Sequence, residues 1–301
     1  MAKRTQAFDP RQNMTGKSFE VFHNYDEQRR DVDLHHHDFY EIYYFISGNV
    51  EYRVEGKSFI LSPGDLLLIS PGVFHQPVVE PGTAYERIVL WIDRGYLMQF
   101  LSHGTDLSIC FDPNGAILLH PSSYQRTSLA LQLEQMCKEY HSTKYGSNLY
   151  CHGLFLQIMT QINRMAPQAS SQEDVTGESS LINQVLAYIS AHYSEKLTLQ
   201  ELADRFYVSK YHLSHEFSSR VGTSIYRYII LKRLLAAREL IADGIAPSEV
   251  FQSCGFQDYA NFYRAFKAEY GMSPKAFSAS QGIGALYRPG MQKAGEEIIR
   301  P

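Results

Sequence analysis

The feature that most restricts this 301-residue chain is a repeat near its C-terminal end. Glu201-Leu202-Ala203-Asp204-Arg205-Phe206 leads to Ser209, then through Leu213 and Phe217 to Gly222. About 49 residues later, Glu249-Val250-Phe251-Gln252-Ser253-Cys254 leads to Asp258, then through Phe262 and Phe266 to Gly271. Each copy reads as a short helix, a tight turn and a second helix, with Ser or Asp placed to cap its start and glycine just past its end. That is the helix-turn-helix layout twice. Thr223 to Ile241 supplies one long helix between the copies. A single helix pair with a terminal glycine occurs in many helical domains. A duplicated unit with matched caps, core positions and glycines is far more restrictive.

In such a unit the second helix enters the DNA major groove and its N-terminal residues meet base edges. With Leu213 and Phe217 inward, Lys210, Tyr211, Ser214 and His215 face outward. With Phe262 and Phe266 inward, Tyr259, Ala260, Asn261, Tyr263 and Arg264 are available. Asn261 suits a bidentate contact to adenine, Arg264 one to guanine, and Ala260 a thymine methyl. Lys232, Arg233, Arg238 and Lys267 are placed for phosphates, which hold register without carrying sequence information. A rigid separation of the readers near ~34 Å would address successive turns of one DNA face. The plainer reading of single residues is that Tyr211 packs and His215 is a solvated surface group.

Taken whole, the formal charge of -4 speaks against DNA, but it is unevenly spread. Residues 1–120 carry -6, 121–179 carry -1, 180–280 carry +2 and 281–301 carry +1. The acidic half has a different pattern. From Phe19 to about Asp93, short runs rich in aromatic and β-branched residues (Glu41 to Ile46, Val50 to Glu55, Ser58 to Leu61, Leu66 to Ser70, Arg87 to Ile92) are punctuated by Pro63-Gly64, Pro71-Gly72 and Pro81-Gly82. This predicts a small barrel or sandwich. From Tyr124 the period becomes helical, giving a hairpin of Tyr124–Tyr140 and Leu149–Met165 separated by Tyr145-Gly146-Ser147-Asn148. A Leu and Met stripe of this kind fits both packing on the barrel and a dimer seam. The polar stretch 166–179, with Pro, Gly and Ser, reads as a linker. The expected organisation is therefore α+β in two domains: a barrel over 1–120, a hairpin over 121–165, a linker over 166–179, an all-α double helix-turn-helix over 180–280, and an irregular tail over 281–301.

No apolar stretch approaches the ~20 residues of a spanning helix. The N-terminus lacks an apolar region behind its first charges. Cys110, Cys137, Cys151 and Cys254 are scattered without a C-x-x-C pair. A cytoplasmic protein without membrane association is the expectation.

The segment from Leu197 to Phe277 resembles the AraC/XylS family of bacterial transcription regulators. The likeness is carried by Leu199-Gln200-Glu201-Leu202-Ala203, Val208-Ser209-Lys210-Tyr211-His212-Leu213, Arg233-Leu234 with Ala237-Arg238, Cys254-Gly255-Phe256-Gln257-Asp258-Tyr259, and Phe262-Tyr263-Arg264-Ala265-Phe266-Lys267 leading to Gly271-Met272-Ser273-Pro274. The resemblance implies sequence-specific binding of double-stranded promoter DNA, usually as a homodimer, with RNA polymerase as a further candidate partner. It departs at Ala246-Pro247, where relatives tend to open the second pair without proline; a helix's first turn tolerates it.

A second constellation lies in the acidic half. His35-His36-His37-Asp38-Phe39-Tyr40-Glu41 contains H-x-H-x3-E, and Pro63-Gly64-Asp65 leads to Ser70-Pro71-Gly72-Val73-Phe74-His75. Together these resemble the two cupin motifs, with Ser70 where proline is usual and Val79 where a metal-binding cupin usually has asparagine. On one strand, His35, His37 and Glu41 share parity, so all three can point into a barrel, and His75 can complete a site for a divalent transition metal. Tyr43, Arg53 and Trp91 join these four as candidate lining for a small effector. Carbohydrate is the favoured class, since sugars offer apolar faces to aromatic rings and hydroxyls to charged donors. Three readings stand beside one another: a sensory pocket with or without metal, histidines that satisfy each other and the backbone, and a metal-dependent cupin enzyme fused to a DNA reader. A regulator needing no effector is the further alternative. The sensory pocket of a non-enzymatic regulator is the reading taken forward.

Overall fold

The computed structural model describes residues 14–27, 32–113, 115–166 and 181–285. The expected linker lies almost wholly outside them. Two compact units form: one takes in residues to Tyr188 together with Leu199–Ile225, the other Ile189–Thr198 and the chain from Tyr226 onward.

The first unit holds eight strands: β1 (Phe19–Asp26), β2 (Tyr40–Ser47), β3 (Val50–Val54), β4 (Lys57–Ile60), β5 (Leu66–Ile69), β6 (His75–Val79), β7 (Tyr85–Ile92) and β8 (Ala116–Leu119). They make a five-stranded antiparallel sheet in the order β1-β7-β2-β5-β8 and a three-stranded one in the order β4-β3-β6. Apolar residues of both sheets meet face to face: Tyr43, Phe45, Leu67, Ile69 and Val89 against Val50, Tyr52, Val54 and Val79. The cupin-like body is open rather than a closed barrel, with an isolated bridge between His35 and His75. Strands β1, β6 and β8 are not among the runs singled out in the sequence. Pro77 sits inside β6, which the sheet tolerates because β6 is an edge strand whose outer side is bridged at His75 but needs no donor at Pro77.

The larger sheet is buried on both faces, which is why Leu66–Ile69 is apolar without alternation. Its second face, including Ile42, Leu66, Leu68, Ile88 and Leu90, is covered by the helical hairpin. After a short helix α1 (Arg94–Met98), the hairpin consists of α2 (Ser123–Tyr140) and α3 (Ser147–Met165). Helix α2 opens with a reciprocal capping box between Ser122 and Gln125. Leu154, Phe155, Ile158, Met159 and Ile162 of α3 pack on the sheet, while Leu131, Leu149 and Leu156 stay exposed.

Helices α4 (Leu181–His192), α5 (Leu199–Arg205) and α6 (Lys210–Val221) follow. Within the first unit, α6 lies against β3 and β6. Arg53 Nη1 donates to the Ser219 carbonyl at 2.8 Å, and a Cβ added to Gly222 would lie 2.1 Å from Gln76 Oε1.

The second unit contains α7 (Ile225–Ala242), close to the expected long helix, then α8 (Pro247–Ser253), α9 (Tyr259–Tyr270) and α10 (Pro274–Ala285). Leu234, Ala237, Ile241, Val250, Phe256, Phe262, Phe266 and Phe277 form its core. Pro247 stands in the first turn of α8, with Ala246 as N-cap. Gly255, at φ +85°, is obligatory: a Cβ there would meet the Ser194 carbonyl oxygen at 2.6 Å. Residues 281–285, expected to open an irregular tail, continue α10 instead. Among the described residues no helix is long and apolar enough to cross a membrane.

Candidate functional site

The histidine-rich segment and β2 converge with the start of β6. His37, Glu41 and His75 each bring one ligand-type atom within 4.8 Å of the others, and all three residues are buried. They do not share a strand. Only Glu41 lies on β2; His35 and His37 lie in the irregular segment before it, so the parity argument does not account for their convergence. What turns the rings is hydrogen bonding to the backbone. His37 Nδ1 lies 2.9 Å from the Phe39 carbonyl, His75 Nδ1 2.9 Å from Val73 and His35 Nδ1 2.8 Å from Asp33. His35 stands beside the trio, its ring 4.2 Å from that of His75 and nearly edge-on, but adds no atom to the group of three.

Glu41 is the electrostatic centre. Its Oε2 accepts from Trp91 Nε1 at 2.9 Å and lies 3.3 Å from His37 Nε2, while Tyr52 donates to Oε1 over a long 3.5 Å. Burial alone would raise this carboxyl; the adjoining His37 and His35 rings and the Trp91 N–H outweigh burial and hold it below the usual carboxylate range. Burial pushes His35 down to about 4 and His75 well below the ordinary imidazole range, so both rings are neutral at pH 7. Burial, followed by the Glu41 charge, holds the Tyr52 phenol well above its usual value. The Tyr43 ring meets Tyr52 at 4.9 Å and Tyr85 at 6.4 Å. The Tyr43 and Tyr85 hydroxyls are buried and make no hydrogen bond among the described residues.

The structure thus brings His35, His37, Glu41, Tyr43, His75 and Trp91 into one neighbourhood. Arg53 is a correction. On β3, Val50, Tyr52 and Val54 turn inward, so Arg53 points out of the body, to Glu51 and the end of α6. The charged donor expected in the pocket is absent from that position, and Tyr52 occupies the inward one. The alternation from Val50 to Val54 carried this information. Tyr85 was missed because β7 was read from Arg87, two residues late.

The two reader helices repeat each other in detail. Ser209 accepts from the His212 amide at 3.1 Å and Asp258 from the Asn261 amide at 2.7 Å; Gly222 and Gly271 close the helices in the left-handed conformation. Leu213 and Phe217, like Phe262 and Phe266, are fully buried. Lys210, Tyr211 and His215 are exposed and Ser214 half-buried, with the Tyr211 and His215 rings stacked at 6.3 Å. Tyr259, Ala260, Asn261, Arg264 and Lys267 are all exposed. Asn261 Nδ2 donates to Asp258 Oδ2, and Arg264 Nη2 donates to Asn261 Oδ1 at 2.5 Å, so cap and reading residues form one chain. Tyr207, not anticipated, holds φ +55° in the first turn and is 95% exposed beside α6.

Arg233 corrects the expected phosphate set. Its Nε and Nη2 donate to the Tyr193 and Glu195 carbonyls, each at 2.7 Å, so it ties α7 to the end of α4. Arg238 lies over the Tyr270 and Phe277 rings at 5.4 and 5.6 Å.

Comparison with known proteins agrees with both halves. Residues 18–159 match the family model of the AraC-like ligand binding domain, and residues 202–280 that of a helix-turn-helix domain. The chain is 28% identical over 247 residues to the probable transcriptional regulator LumQ of Photobacterium leiognathi, covering 81% of this chain and 90% of that protein. It is 25% identical over 247 residues to the transcriptional activator RhaS of Salmonella heidelberg, covering 80% and 85%. Among solved structures, ToxT of Vibrio cholerae aligns over 87% of this chain and 98% of its own at 12% identity, with a TM-score of 0.37. The relatives are regulators rather than enzymes, and their likeness spans the sheet half as well as the readers. Both halves therefore lead to one reading: the chain carries an AraC-like ligand binding domain followed by a helix-turn-helix domain, and the relatives it resembles are transcriptional regulators.

Proposed function

We propose that this regulator binds a small polyhydroxylated effector, a sugar or related carbohydrate, between its two sheets, and that occupancy changes how the paired readers meet double-stranded DNA. The observation that carries this reading is the pair of buried phenols. Tyr43 and Tyr85 bury hydroxyls with no hydrogen-bond partner among the described residues, and an unmet buried polar group costs about 1–3 kcal/mol. A ligand rich in hydroxyls meets that need while its apolar face lies on Tyr52 and Trp91. Base reading falls to Asn261, Arg264 and Ala260 in the second copy and to Lys210, Tyr211, Ser214 and His215 in the first. Exposed Leu131, Leu149 and Leu156 on the hairpin support a homodimer.

Regulation requires that the effector bind two states with different affinity, since equal affinity shifts nothing. A thermal-shift screen against sugars tests the pocket: a ligand at 100 times its dissociation constant adds ~2.7 kcal/mol. A melting temperature unmoved by a broad panel refutes the carbohydrate reading. Binding to promoter fragments across a salt series tests the readers, because phosphate contacts release counterions and give log affinity a negative slope against log salt.

A further inference from the structure

We infer that Arg53, with Gln76 beside it, positions the first reader helix for DNA, so that base reading by α6 depends on a side chain of the sheet half. The inference rests on the reading of α6 as a base reader, and the test below lets the two fail separately.

Strand register makes the pair. Val50, Tyr52 and Val54 of β3 point into the core, which turns Glu51 and Arg53 to the outer face. Arg53 stands directly opposite Gln76 of β6 on one side and Ser58 of β4 on the other, and such partners share a face. Arg53 and Gln76 both meet the C-terminal end of α6. Arg53 Nη1 donates to the Ser219 carbonyl at 2.8 Å, and Gln76 Oε1 lies so near Gly222 that a Cβ added there would sit 2.1 Å from it. Gly56, in the turn from β3 to β4, gives room to α4 in the same way: its Cβ would lie 2.5 Å from Leu186 Cδ1 and 3.6 Å from Ile182 Cγ2.

The last carbonyls of a helix lack intrahelical partners and carry the negative end of its dipole. A guanidinium in the last turn of α6 satisfies an acceptor and complements that charge, and here the sheet supplies it. The Arg53 fork is itself held. Its Nε and Nη2 donate to Glu51 Oε1 and Oε2, each at 3.3 Å, and Ser58 Oγ donates to Glu51 Oε1 at 2.5 Å. Burial would raise the Glu51 carboxyl, but Ser58 and Arg53 outweigh burial and hold it below the usual carboxylate range. A planar fork fastened on two nitrogens keeps its third aimed in one direction.

This hold orients α6 without blocking it. Lys210, Tyr211 and His215, at the opposite end of the helix from Ser219 and Gly222, remain exposed. The division between the two compact units falls at the start of α7, so the first reader belongs with the sheet and the second does not. Arg53 therefore acts on one reader only.

Fluorescence anisotropy of the full-length protein on promoter DNA, arranged as double-mutant cycles, tests this. Arg53→Ala should weaken binding roughly fivefold, the equivalent of about one net hydrogen bond, and Arg53→Lys should recover part of the loss. Glu51→Gln, which leaves Arg53 in place but loosens its fork, should show a smaller loss of the same kind. His23→Ala, at the exposed His23–Glu86 pair, should bind as wild type does. With the first reader blunted by Tyr211→Ala and His215→Ala together, Arg53→Ala should cost nothing further; with Arg264→Ala it should still cost its fivefold. Additivity with the first-reader changes would overturn the inference. Tighter binding by Arg53→Ala would also overturn it, since the hold would then be a block. A salt slope reduced by about one would do the same, since Arg53 would then be a phosphate contact. If the Tyr211 and His215 changes themselves leave affinity unaltered, α6 is no base reader, and the inference falls with that reading.

Discussion

Asp258→Ala isolates what the second reader owes to its cap. The Asp258 carboxylate accepts the Asn261 amide at 2.7 Å and so satisfies one of the four amides that α9 leaves unpaired at its start. Losing such a cap costs 0.5–2 kcal/mol, typically about 1. The carboxylate also faces the positive end of the helix, worth about 0.3 kcal/mol more at an exposed site. The sum is near 1.3 kcal/mol. For a domain of about 100 residues, each kcal/mol moves the melting temperature by roughly 4–8 °C. Asp258→Ser is the discriminating control. A serine hydroxyl can still cap, but it lacks the second oxygen that holds Asn261 Nδ2. The serine variant should therefore recover most of the melting temperature, yet leave Asn261 and its partner Arg264 free to turn. In fluorescence anisotropy with operator DNA, the serine variant should lose discrimination between matched and mismatched sites. The slope of log affinity against log salt should stay unchanged, because no phosphate contact is removed. If Asp258→Ala melts with wild type, or Asp258→Ser melts as low as Asp258→Ala, the capping argument is wrong.

Four further outcomes follow from the same geometry. Arg264→Ala should cost about 1–3 kcal/mol of operator affinity and relax specificity at one base pair; equal weakening on every sequence would make it a phosphate contact. Gly222→Ala should destabilise by about 1–2 kcal/mol, because φ +83° forces a left-handed alanine. Adding Gln76→Ala should not restore it in a melt, since it removes crowding and not backbone strain. Arg53→Ala should leave sugar-induced thermal shifts intact, whereas Tyr52→Ala should reduce them; the reverse result would contradict the assignment of inner and outer faces. His152, hydrogen-bonded to Tyr96 at 2.6 Å, has its imidazole pKa lowered by burial. Its unfolded form takes up the proton first, so wild type should lose stability relative to His152→Phe as pH falls below about 6.5, the unperturbed value. A stability gap constant with pH in chemical denaturation would refute this.

Much of the architecture was legible because it rests on local rules. The reader pairs announce themselves through caps, apolar spacing and left-handed glycines, all decided within a few residues. The strands of the sheet half were legible where turn signals bounded them. What escaped was decided by partners distant in sequence. Strand β6 hides behind Pro77, acceptable because among the described residues its far side is bridged at His75, by His35, and not at Pro77. Arg233 looked like a phosphate ligand until α7 placed it against the carbonyls of Tyr193 and Glu195. Arg53 is different: the alternation of β3 already turned it outward, and the chemical appeal of a charged donor overrode a pattern present in the sequence. Shared parity on one strand groups His35, His37 and Glu41 in the sequence, while in the structure the rings of His35, His37 and His75 owe their aim to the carbonyls of Asp33, Phe39 and Val73.

Strand β6 has His75 and Gln76 as consecutive residues, one facing the interior beside Glu41 and the other facing Gly222 at the end of α6. Their Cα atoms are about 3.8 Å apart and belong to a single rigid peptide. The inner face that carries His75 and the seat of the first reader helix are therefore two sides of the same ribbon, one strand thick. A tilt of β6 that brings His75 nearer to Glu41 is, by the stiffness of one peptide bond, also a displacement of the side chain against which the reader helix ends.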